Sequence, residues 1–498
     1  MGICDTMISL NTIKTKYDSF SEPVKASVWY MVCNVLNKGI ALFSTPIFTR
    51  ILTEEQYGTF AIFQSWYNII LIFTSLNIFL GGYQKGLILF RNDRERFTST
   101  QLSLTTLITL CFGILYLSNI DFWTKIFELP PILMAAMFVG LTLMPALEFW
   151  AAKERFDFKY IKYVAVSLSM TILSLGGGVL AVINTSYKVE ARVFTDVASK
   201  AIFAGVLFII LFIRGKKIFV KEYWIYALKF NIPLLPHYLS NYVLNQSDRI
   251  MIGRMIGNDK AAFYSVAYTI STMMLLITSA INNSLTPYIY KEIDIYEQKK
   301  VYADVVSKKI KNITKPLFLM VACLCIMTIA FAPEVILIFA GEKYTEAIYV
   351  VPPIAASVFF IFLYSMFSTI EYYFQKTGLI AVATTVSAII NLVLNYIFIK
   401  AFGYYAAGYT TLLCYICLAV MHYLFYKKVL RLKMPEVSNV YDMKVVLIGS
   451  IFVLAIMIVM VLTYKMIIIR YAIVVVMCII TIWKREYLIS TIKGFKKK

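Results

Sequence analysis

The stretch FTRILTEEQYGTFAIF, residues 48–63, has a counterpart in IGRMIGNDKAAFYSVA, residues 252–267, at an offset of 204 residues. Each copy follows an apolar segment and carries one arginine, Arg50 or Arg254, before a short acidic turn. These arginines are candidate substrate-binding cations; alternatively, they extend to the membrane interface or cap the acidic turn. The repetition is the first sign that the chain is built from two related halves.

A second matching pair occurs further along the chain. EFWAAKE at 148–154 aligns with EYYFQKT at 371–377 and pairs Glu148 with Glu371, at an offset of 223 residues. Two matches in the same order, each with charges in register, favour an internal repeat over chance similarity between apolar helices. If each half contains six membrane spans, an even number, both halves enter from the same side as parallel repeats.

The composition places the chain in a membrane. Of 498 residues, 60% are hydrophobic and 15% are charged, and the mean hydropathy is +0.73. Soluble domains carry about 25% charged residues, so the excess apolar side chains must face lipid. This composition excludes a soluble enzyme. The net charge of +20 does not indicate a nucleic-acid partner, because the cations lie in loops between apolar segments.

A helix needs roughly 20 apolar residues to cross about 30 Å of hydrocarbon. The apolar runs are continuous rather than alternating, so they predict helices, and the fold class is an all-α polytopic membrane protein with about 14 spans. Polar residues interrupt the first and seventh segments. The predicted spans are 26–46, 59–81, 99–118, 131–150, 163–184, 193–213, 231–252, 262–285, 313–333, 347–369, 379–399, 405–425, 445–464 and 466–483.

The distribution of Lys and Arg predicts the orientation. The chain contains 48 Lys and Arg residues. Of these, 35 lie at the two ends of the chain or near the loops that follow even-numbered spans, and 11 lie near the loops that follow odd-numbered spans. By the positive-inside rule, both termini are cytoplasmic. The predicted parts are a cytoplasmic segment 1–25, a six-helix lobe 26–213, a linker 214–230, a second lobe 231–425, a loop 426–444, two extra helices 445–483 and a basic tail 484–498.

A charged side chain at mid-bilayer costs about 2.5–3.5 kcal/mol on insertion scales, so it needs a partner or water. Lys38 lies in the first span with Asn34 and Asn37, at spacings that place all three on one side of a helix. We expect this polar side to line a water-filled cleft and Lys38 to bind substrate there. Extension of Lys38 to the interface, or a structural partner, is the alternative.

The seventh span carries a second polar stripe. Asn241, Asn245 and Asp248 recur at about the helical period, and Arg249 follows directly. The stripe predicts a cleft-facing surface that binds substrate, with Asp248 also a candidate for ion coupling. Pro233 and the proline three residues later should break or kink the start of this helix.

Three further carboxylates lie in or beside spans. Asp196 and Lys200 are four residues apart, which suits an intrahelical ion pair, although Lys200 is also a candidate substrate ligand and Asp196 a candidate for ion coupling. Glu148 and Glu371 end their spans just before lysines. Helix-end salt bridges to these lysines are the favoured interpretation, with ion coupling or gating as the alternative.

The cysteine and glycine patterns of the sequence do not indicate enzyme chemistry. The C-x-x-C of Cys414 and Cys417 lies in an apolar helix without a partner pair, so two buried cysteines are expected rather than a metal or redox site. The sequence contains no glycine-rich phosphate loop followed by Lys-Ser/Thr. We therefore expect no metal, no cofactor and no enzyme activity.

The chain resembles the polysaccharide (O-antigen or capsule) repeat-unit flippases of the multidrug/oligosaccharidyl-lipid/polysaccharide exporter superfamily. The similar stretches are residues 48–63, ALEFWAAKERF at 146–156 and YALKFNIPLLPHYLSNYVLNQSDRIMIG at 226–253. The resemblance implies two pseudo-symmetric six-helix lobes around a central cleft, plus two C-terminal helices. It also implies transport of undecaprenyl-diphosphate-linked oligosaccharide across the bacterial inner membrane, among membrane lipids, with polymerase and chain-length proteins as partners.

Two other functions remain open on sequence grounds. A multidrug antiporter of the same superfamily exports organic cations, which Lys38 would repel. A polysaccharide polymerase or ligase of the same pathway usually has a large outer loop, whereas the predicted non-cytoplasmic loops here reach only about 16 residues. A flippase for a lipid-linked, phosphate-bearing oligosaccharide is therefore the preferred prediction.

Overall fold

The computed structural model describes residues 21–80, 82–299 and 303–483, and their regular elements are all helices. This confirms the all-α fold class. The predicted basic tail 484–498 and residues 1–20 of the predicted N-terminal segment lie outside the described residues. The first nine helices are α1 (Glu22–Ile51), α2 (Glu54–Ser75), α3 (Gly82–Leu89), α4 (Arg94–Ser118), α5 (Ile120–Phe127), α6 (Pro131–Phe156), α7 (Tyr160–Ile183), α8 (Lys188–Gly215) and α9 (Lys221–Asn231).

A 3-10 turn at Ile232–Leu234 separates α9 from the next helix. It contains Pro233, whose ring and missing N–H disfavour a continuous α-helix, so the predicted break is confirmed. A second 3-10 segment spans Glu342–Tyr349. The remaining helices are α10 (Leu235–Met255), α11 (Asn258–Thr272), α12 (Met274–Lys299), α13 (Ala303–Ala330), α14 (Ala332–Ala340), α15 (Val351–Tyr373), α16 (Thr377–Phe402), α17 (Tyr405–Lys433), α18 (Met443–Thr463) and α19 (Ile467–Trp483).

Eleven helices in the described part of the chain are long and apolar enough to cross a membrane. Each of the fourteen predicted segments overlaps a helix, but α2, α10 and α19 are not among the eleven. The protein is therefore a multi-pass membrane protein, and the number of fourteen crossings stays a prediction.

Many large apolar side chains lie on the surface of the helices. Ile468 is 84% exposed, Leu462 74% and Ile161 72%. A surface this rich in exposed aliphatic side chains would associate in water, whereas in a bilayer it contacts acyl chains without penalty. The exposed apolar residues therefore agree with the composition.

The helix boundaries repeat along the chain in the way that the two matching stretches predict. Helix α1 ends at Ile51 and α10 at Met255, while α2 begins at Glu54 and α11 at Asn258. Both pairs of positions are separated by the offset of 204 residues found in the sequence. The two stretches thus adopt the same helix–turn–helix structure.

The chain divides into two compact units. Unit 1 comprises the described residues up to Leu52 together with Trp66–Tyr238, and unit 2 comprises Thr53–Ser65 and the described residues from Leu239 onward. These units differ from the predicted lobes 26–213 and 231–425, because unit 1 includes residues 214–238 and unit 2 includes residues 53–65 and the described residues after 425. The first turns of α2 pack with unit 2 although they precede most of unit 1 in the chain.

An aromatic cluster anchors α9 in unit 1. The ring of Phe97 in α4 stacks on Tyr83 at 5.7 Å and meets Tyr223 of α9 edge-on at 5.4 Å. The Tyr223 hydroxyl donates to Asp93 at 2.8 Å. Burial and this hydrogen bond raise the pKa of Tyr223 to about 12, so the hydroxyl remains a donor at neutral pH. Helix α9 is therefore a fixed part of unit 1.

In unit 2, Arg470 ties the C-terminal helix α19 to α13 and α14. Arg470 is 3% exposed, and its guanidinium donates to both carboxylate oxygens of Glu334 and to the carbonyl of Ala330 at 3.2 Å. Burial alone would raise the pKa of Glu334, but the hydrogen bonds from Arg470 and a neighbouring tyrosine lower it below its usual value. The last of the two extra helices, α19, is thus joined to the rest of unit 2 by a charged anchor.

Candidate functional site

Unit 1 contains a cavity of about 300 Å³ between α1, α6, α7 and α8, named here the unit 1 cavity. Helix α6 supplies Glu148 and Arg155, and α8 supplies Arg192, Asp196 and Lys200. The polar and aromatic lining also includes Ser44, Trp150, Tyr163, Ser167, Thr171 and Ser174. Charged side chains within the helices of a membrane protein mark a functional site by default.

The spacing of the charged residues explains why they meet. Arg192, Asp196 and Lys200 are four residues apart and therefore share one face of α8. Glu148 and Arg155 are seven residues apart, about two turns, and share one face of α6. The cavity forms where these two faces meet the helices α1 and α7.

Asp196 is the centre of a buried network. It is 7% exposed and accepts hydrogen bonds from Ser174 Oγ at 2.7 Å and Lys200 Nζ at 2.8 Å. Arg192 Nη1 donates to the Ser174 carbonyl at 3.3 Å, and its guanidinium lies 4.1 Å from the centre of the Phe48 ring. The predicted intrahelical ion pair between Asp196 and Lys200 is confirmed.

Gly178 makes room for Arg192. A Cβ atom at Gly178 would lie 3.0 Å from Arg192 Nη1 and 3.1 Å from Phe48 Cζ, whereas a Cβ at Gly176 would meet nothing within 4 Å. The absence of a side chain at Gly178 thus allows Arg192 and Phe48 to approach α7 closely. A larger residue there would displace the arginine from its place beside the cavity.

Glu148 does not form the predicted helix-end salt bridge. Lys153 pairs with Glu95 of α4 instead. Because α6 continues to Phe156, Glu148 lies about two turns before the helix end and faces the cavity. Among the described residues, none lies within hydrogen-bonding distance of its carboxylate. The salt-bridge interpretation is wrong for this residue.

The polar side predicted on α1 is divided between two environments. Asn37 donates to Ser167 Oγ at 2.7 Å and accepts from Thr171 Oγ1 at 2.8 Å, which fixes α1 against α7. Asn34 and Lys38 are exposed and do not line the unit 1 cavity. Their place in a water-filled cleft stays a prediction.

Asp248 lies inside unit 2 rather than on an open polar stripe. Its carboxylate is fully buried and accepts hydrogen bonds from Tyr264 of α11, Asn395 of α16 and, at 3.0 Å, Thr411 of α17. A buried carboxylate needs such donors to replace water. The cleft-facing position predicted for Asp248 is therefore not observed, since its carboxylate packs among four helices of unit 2.

The rest of the stripe on α10 is also turned into unit 2. Asn245 accepts from Tyr268 at 2.8 Å and from Tyr415 at 3.3 Å, and its side-chain amide donates to the carbonyl of Asn241 at 2.6 Å. Arg249 is 8% exposed and lies over the Tyr268 ring at 4.3 Å. Arg249 is therefore packed within unit 2, and substrate binding by it stays a prediction.

The repeated arginines lie at helix ends. Arg50 is exposed and donates to the carbonyl of Pro46 at 2.8 Å, and Arg254 is exposed in the last turn of α10. Neither lines the unit 1 cavity. Of the predicted site residues, the cavity brings together Glu148, Asp196 and Lys200.

Glu371 pairs with a histidine rather than with the lysine that follows it. Glu371 and His422 of α17 are both fully buried, 2.9 Å apart, and the ring of Tyr364 stacks on the histidine at 5.4 Å. The predicted salt bridge from Glu371 to Lys376 is wrong. The sequence analysis missed His422, although the chain contains only two histidines.

Sequence analysis also missed part of the cavity lining. Arg155 lies with its guanidinium 5.4 Å from the centre of the Tyr163 ring and forms no ion pair with any other described residue. Trp150 lines the same wall. The available signal was the seven-residue spacing between Arg155 and Glu148, which places both charges on one helix face.

Among the described residues, no group of three or more His, Cys, Asp or Glu side chains is placed to hold a metal ion. Cys414 is buried, Cys417 is partly buried, and both are free thiols. Burial of Cys414 among apolar neighbours of α10 and α16 agrees with a packing role.

The fold is that of a class of polytopic helical membrane proteins with known structures. The structure resembles that of the lipid II flippase MurJ in an inward closed conformation, with a TM-score of 0.65 at 15% identity, over 92% of this chain and 99% of that one. It also resembles an inward-facing multidrug resistance MATE family transporter of the MOP superfamily, with a TM-score of 0.60 at 14% identity, over 80% and 95%.

The chain belongs to the polysaccharide biosynthesis protein family, whose model matches residues 24–292. The family resemblance identified in the sequence is thus confirmed. A protein of the Lsg locus of Haemophilus influenzae is 25% identical over 74% of this chain and 88% of its own length. The "Probable low-salt glycan biosynthesis flippase Agl15" of Haloferax volcanii is 24% identical over 37% of this chain, which spans only 38% of that relative.

Proposed function

We propose that the protein moves polyprenyl-diphosphate-linked oligosaccharide repeat units from the inner to the outer leaflet of the bacterial cytoplasmic membrane by alternating access. The single observation that carries this proposal is a charged cavity inside a helical unit of a polysaccharide biosynthesis family member. Two similar proteins, one compared by sequence and one by structure, bear the word flippase in their names. The cargo would serve the synthesis of a surface polysaccharide such as O-antigen or capsule.

A flippase must shield a polar head while the lipid tail stays in the bilayer. A glycan and a diphosphate cannot cross hydrocarbon unaided, because each polar group left without partners costs several kcal/mol. Charged and hydroxyl side chains, such as those of the unit 1 cavity, can replace water around the head. The apolar surfaces of the helices can remain in contact with the tail.

The membrane potential supplies a driving force for this direction of transport. A diphosphate carries about two negative charges, and an inside-negative potential favours their outward movement by about 4.6 kcal/mol per 100 mV. Ion coupling can add to this. Asp248, Glu371, Asp196 and Glu148 are the candidate groups, because each is an acidic side chain within or beside the spans.

Several parts of this proposal rest on the sequence. Both termini are proposed to be cytoplasmic from the charge distribution. Lys38 and Arg249 remain candidate cargo contacts, as do Asn34 and the repeated arginines. Polymerase and chain-length proteins of the same pathway are proposed partners.

The proposal is tested by reconstituting the purified protein in liposomes with a fluorescent polyprenyl-diphosphate oligosaccharide. Protein-dependent movement between leaflets is measured as the rate at which inner-leaflet cargo becomes accessible to an added glycosidase. Liposomes that contain Asp196→Asn protein provide a matched sample with a perturbed cavity. Movement no faster than in protein-free liposomes would contradict the proposal.

One further function has support in the fold. The structural similarity to a MATE family transporter suggests export of an organic cation. The unit 1 cavity opposes this, since it contains three cations and two carboxylates, and a cationic ligand would meet net repulsion there. Uptake of a fluorescent organic cation by the same liposomes, without movement of the lipid-linked glycan, would favour the exporter.

A further inference from the structure

We propose that the unit 1 cavity binds one acidic sugar residue of the transported glycan, with the sugar carboxylate on the cationic side and the hydroxyls on the side of Glu148. The inference rests on the proposed function, because it assigns part of the proposed cargo to one cavity. It concerns a single ring of that cargo and predicts a preference among glycans.

The charge count of the cavity favours an anionic ligand. Arg155, Arg192 and Lys200 carry three positive charges, and Glu148 and Asp196 carry two negative ones when all are ionised. A net charge of +1 in a cavity that loses water on closing is costly. A ligand with one negative charge makes the closed cavity neutral.

The cations differ in how firmly they are held. Asp196 and Ser174 fix Lys200 and Arg192 in place before any ligand arrives. Among the described residues, the guanidinium of Arg155 lies over the face of Tyr163 and makes no hydrogen bond or ion pair, so its donors are available to a ligand. Arginine presents paired donors that match a carboxylate, which makes Arg155 the proposed partner of the sugar acid group.

Glu148 decides between a sugar and a diphosphate as the ligand. Its carboxylate faces the cavity and has no hydrogen-bond donor among the described residues. A carboxylate accepts hydrogen bonds from sugar hydroxyls, but it repels a phosphate in the same cavity, where electrostatic forces are weakly screened. The aromatic side chains of Trp150 and Tyr163 add apolar surface for the ring face of a sugar.

The size of the cavity limits what can enter. Its volume of about 300 Å³ lies at the lower end of the range for small-molecule sites, about 300–1,000 Å³. This volume suits one ring and not a whole repeat unit with its lipid. The cavity therefore acts as a subsite for part of the cargo.

The test is direct binding of three soluble probes to the purified full-length protein in nanodiscs, measured by isothermal titration calorimetry. The probes are methyl glucuronoside, methyl glucoside and inorganic phosphate. The glucuronoside should bind at least tenfold more tightly than the other two. Equal binding of glucuronoside and glucoside, or tighter binding of phosphate, would overturn the inference.

Two variants and a control locate the binding. Arg155→Gln should weaken glucuronoside binding about tenfold or more, since a hydrogen bond to a charged group is lost, and it breaks no ion pair of the fold. Glu148→Gln should weaken glucoside binding more than glucuronoside binding, because the lost negative charge leaves the cavity more positive toward the sugar carboxylate, and it should not weaken phosphate binding. Lys162→Met changes an exposed lysine outside the cavity and should leave binding unchanged. Unchanged glucuronoside affinity in Arg155→Gln would reject the assignment.

Transport measurements separate this inference from the proposed function. Glucuronoside binding by a protein that moves no lipid-linked glycan would contradict the flippase and support the cavity assignment. Movement of lipid-linked glycan by a protein without glucuronoside preference would support the flippase and overturn the assignment. With both intact, cargo containing a uronic acid should move at least tenfold faster than its neutral counterpart at limiting concentration.

Discussion

The substitution Asp196→Asn tests how the buried charges of the unit 1 cavity are stabilised. Asparagine keeps the shape of the side chain and removes its charge, so two neighbouring cations lose their carboxylate. Lys200 lies 2.8 Å from Asp196, and its side chain is 35% exposed. Arg192 lies one turn earlier on the same helix face and is only 7% exposed.

The exposure of each cation sets the expected magnitude. Removing one partner of a buried ion pair costs about 3–5 kcal/mol, whereas an exposed pair is worth about 0.2–1 kcal/mol. Because Lys200 reaches solvent, its part should not exceed about 1 kcal/mol. Arg192 should account for most of a total near 3 kcal/mol, which corresponds to a roughly hundredfold larger unfolding constant.

The free energy of unfolding can be measured on purified protein in mixed micelles by titration with sodium dodecyl sulfate, followed by far-ultraviolet circular dichroism. A second substitution in the Asp196→Asn background then assigns the loss. Arg192→Met should recover about 2 kcal/mol, because it removes the buried orphaned charge. Lys200→Met should recover less than about 1 kcal/mol. Equal recovery by both, or a loss below about 1 kcal/mol for Asp196→Asn alone, would refute the reasoning.

Three further substitutions test other parts of the structure. Gly58→Ala should lower the yield of folded protein at least severalfold, because its Cβ would lie 1.7 Å from a backbone carbonyl oxygen of α11. In Gly176→Ala the added Cβ meets nothing within 4 Å, so the yield of folded protein, measured for both variants by size-exclusion chromatography, should match that of the parent. Equal yields from both variants would contradict the packing. Tyr264→Phe removes one donor from the buried carboxylate of Asp248 and should cost about 1.5–3 kcal/mol in the micelle titration; no loss would show that the donor is dispensable. Glu334→Gln should remove a pH-dependent part of the stability. The pKa of Glu334 in the folded protein lies below its unfolded value. The contribution of Glu334 to the free energy of unfolding is therefore present above about pH 4.3 and is lost as the pH falls through the folded pKa. Parallel acid unfolding curves for parent and variant would contradict this.

Local patterns in the sequence predict local features well. The four-residue spacing of Asp196 and Lys200 sufficed for their ion pair, and Pro233 sufficed for the break before α10, because both depend on residues within two turns of one helix. Runs of apolar residues predicted the helices correctly because they too are local features of the sequence. Helices α2, α10 and α19 are not among the eleven candidate spans, so their crossing of the membrane stays a prediction.

Features that depend on tertiary packing were not predictable in this way. His422 meets Glu371 across 51 positions of chain, and the donors to Asp248 come from three other helices. A helical stripe shows that a face is polar, but it does not show whether that face meets water or another helix. Glu148 shows the opposite error: a salt bridge to a nearby lysine of the same helix was expected, but the carboxylate faces a cavity.

The division of α2 between the two units has a consequence for biosynthesis. Residues 53–65 leave the ribosome long before Leu239, where the rest of unit 2 begins. At translation rates of about 5–20 residues per second, this segment waits roughly 10–35 s for its native neighbours. Two gene fragments divided between Tyr238 and Leu239, where unit 1 ends, would therefore not yield two self-sufficient halves, since the later fragment would lack a piece that only the earlier one encodes.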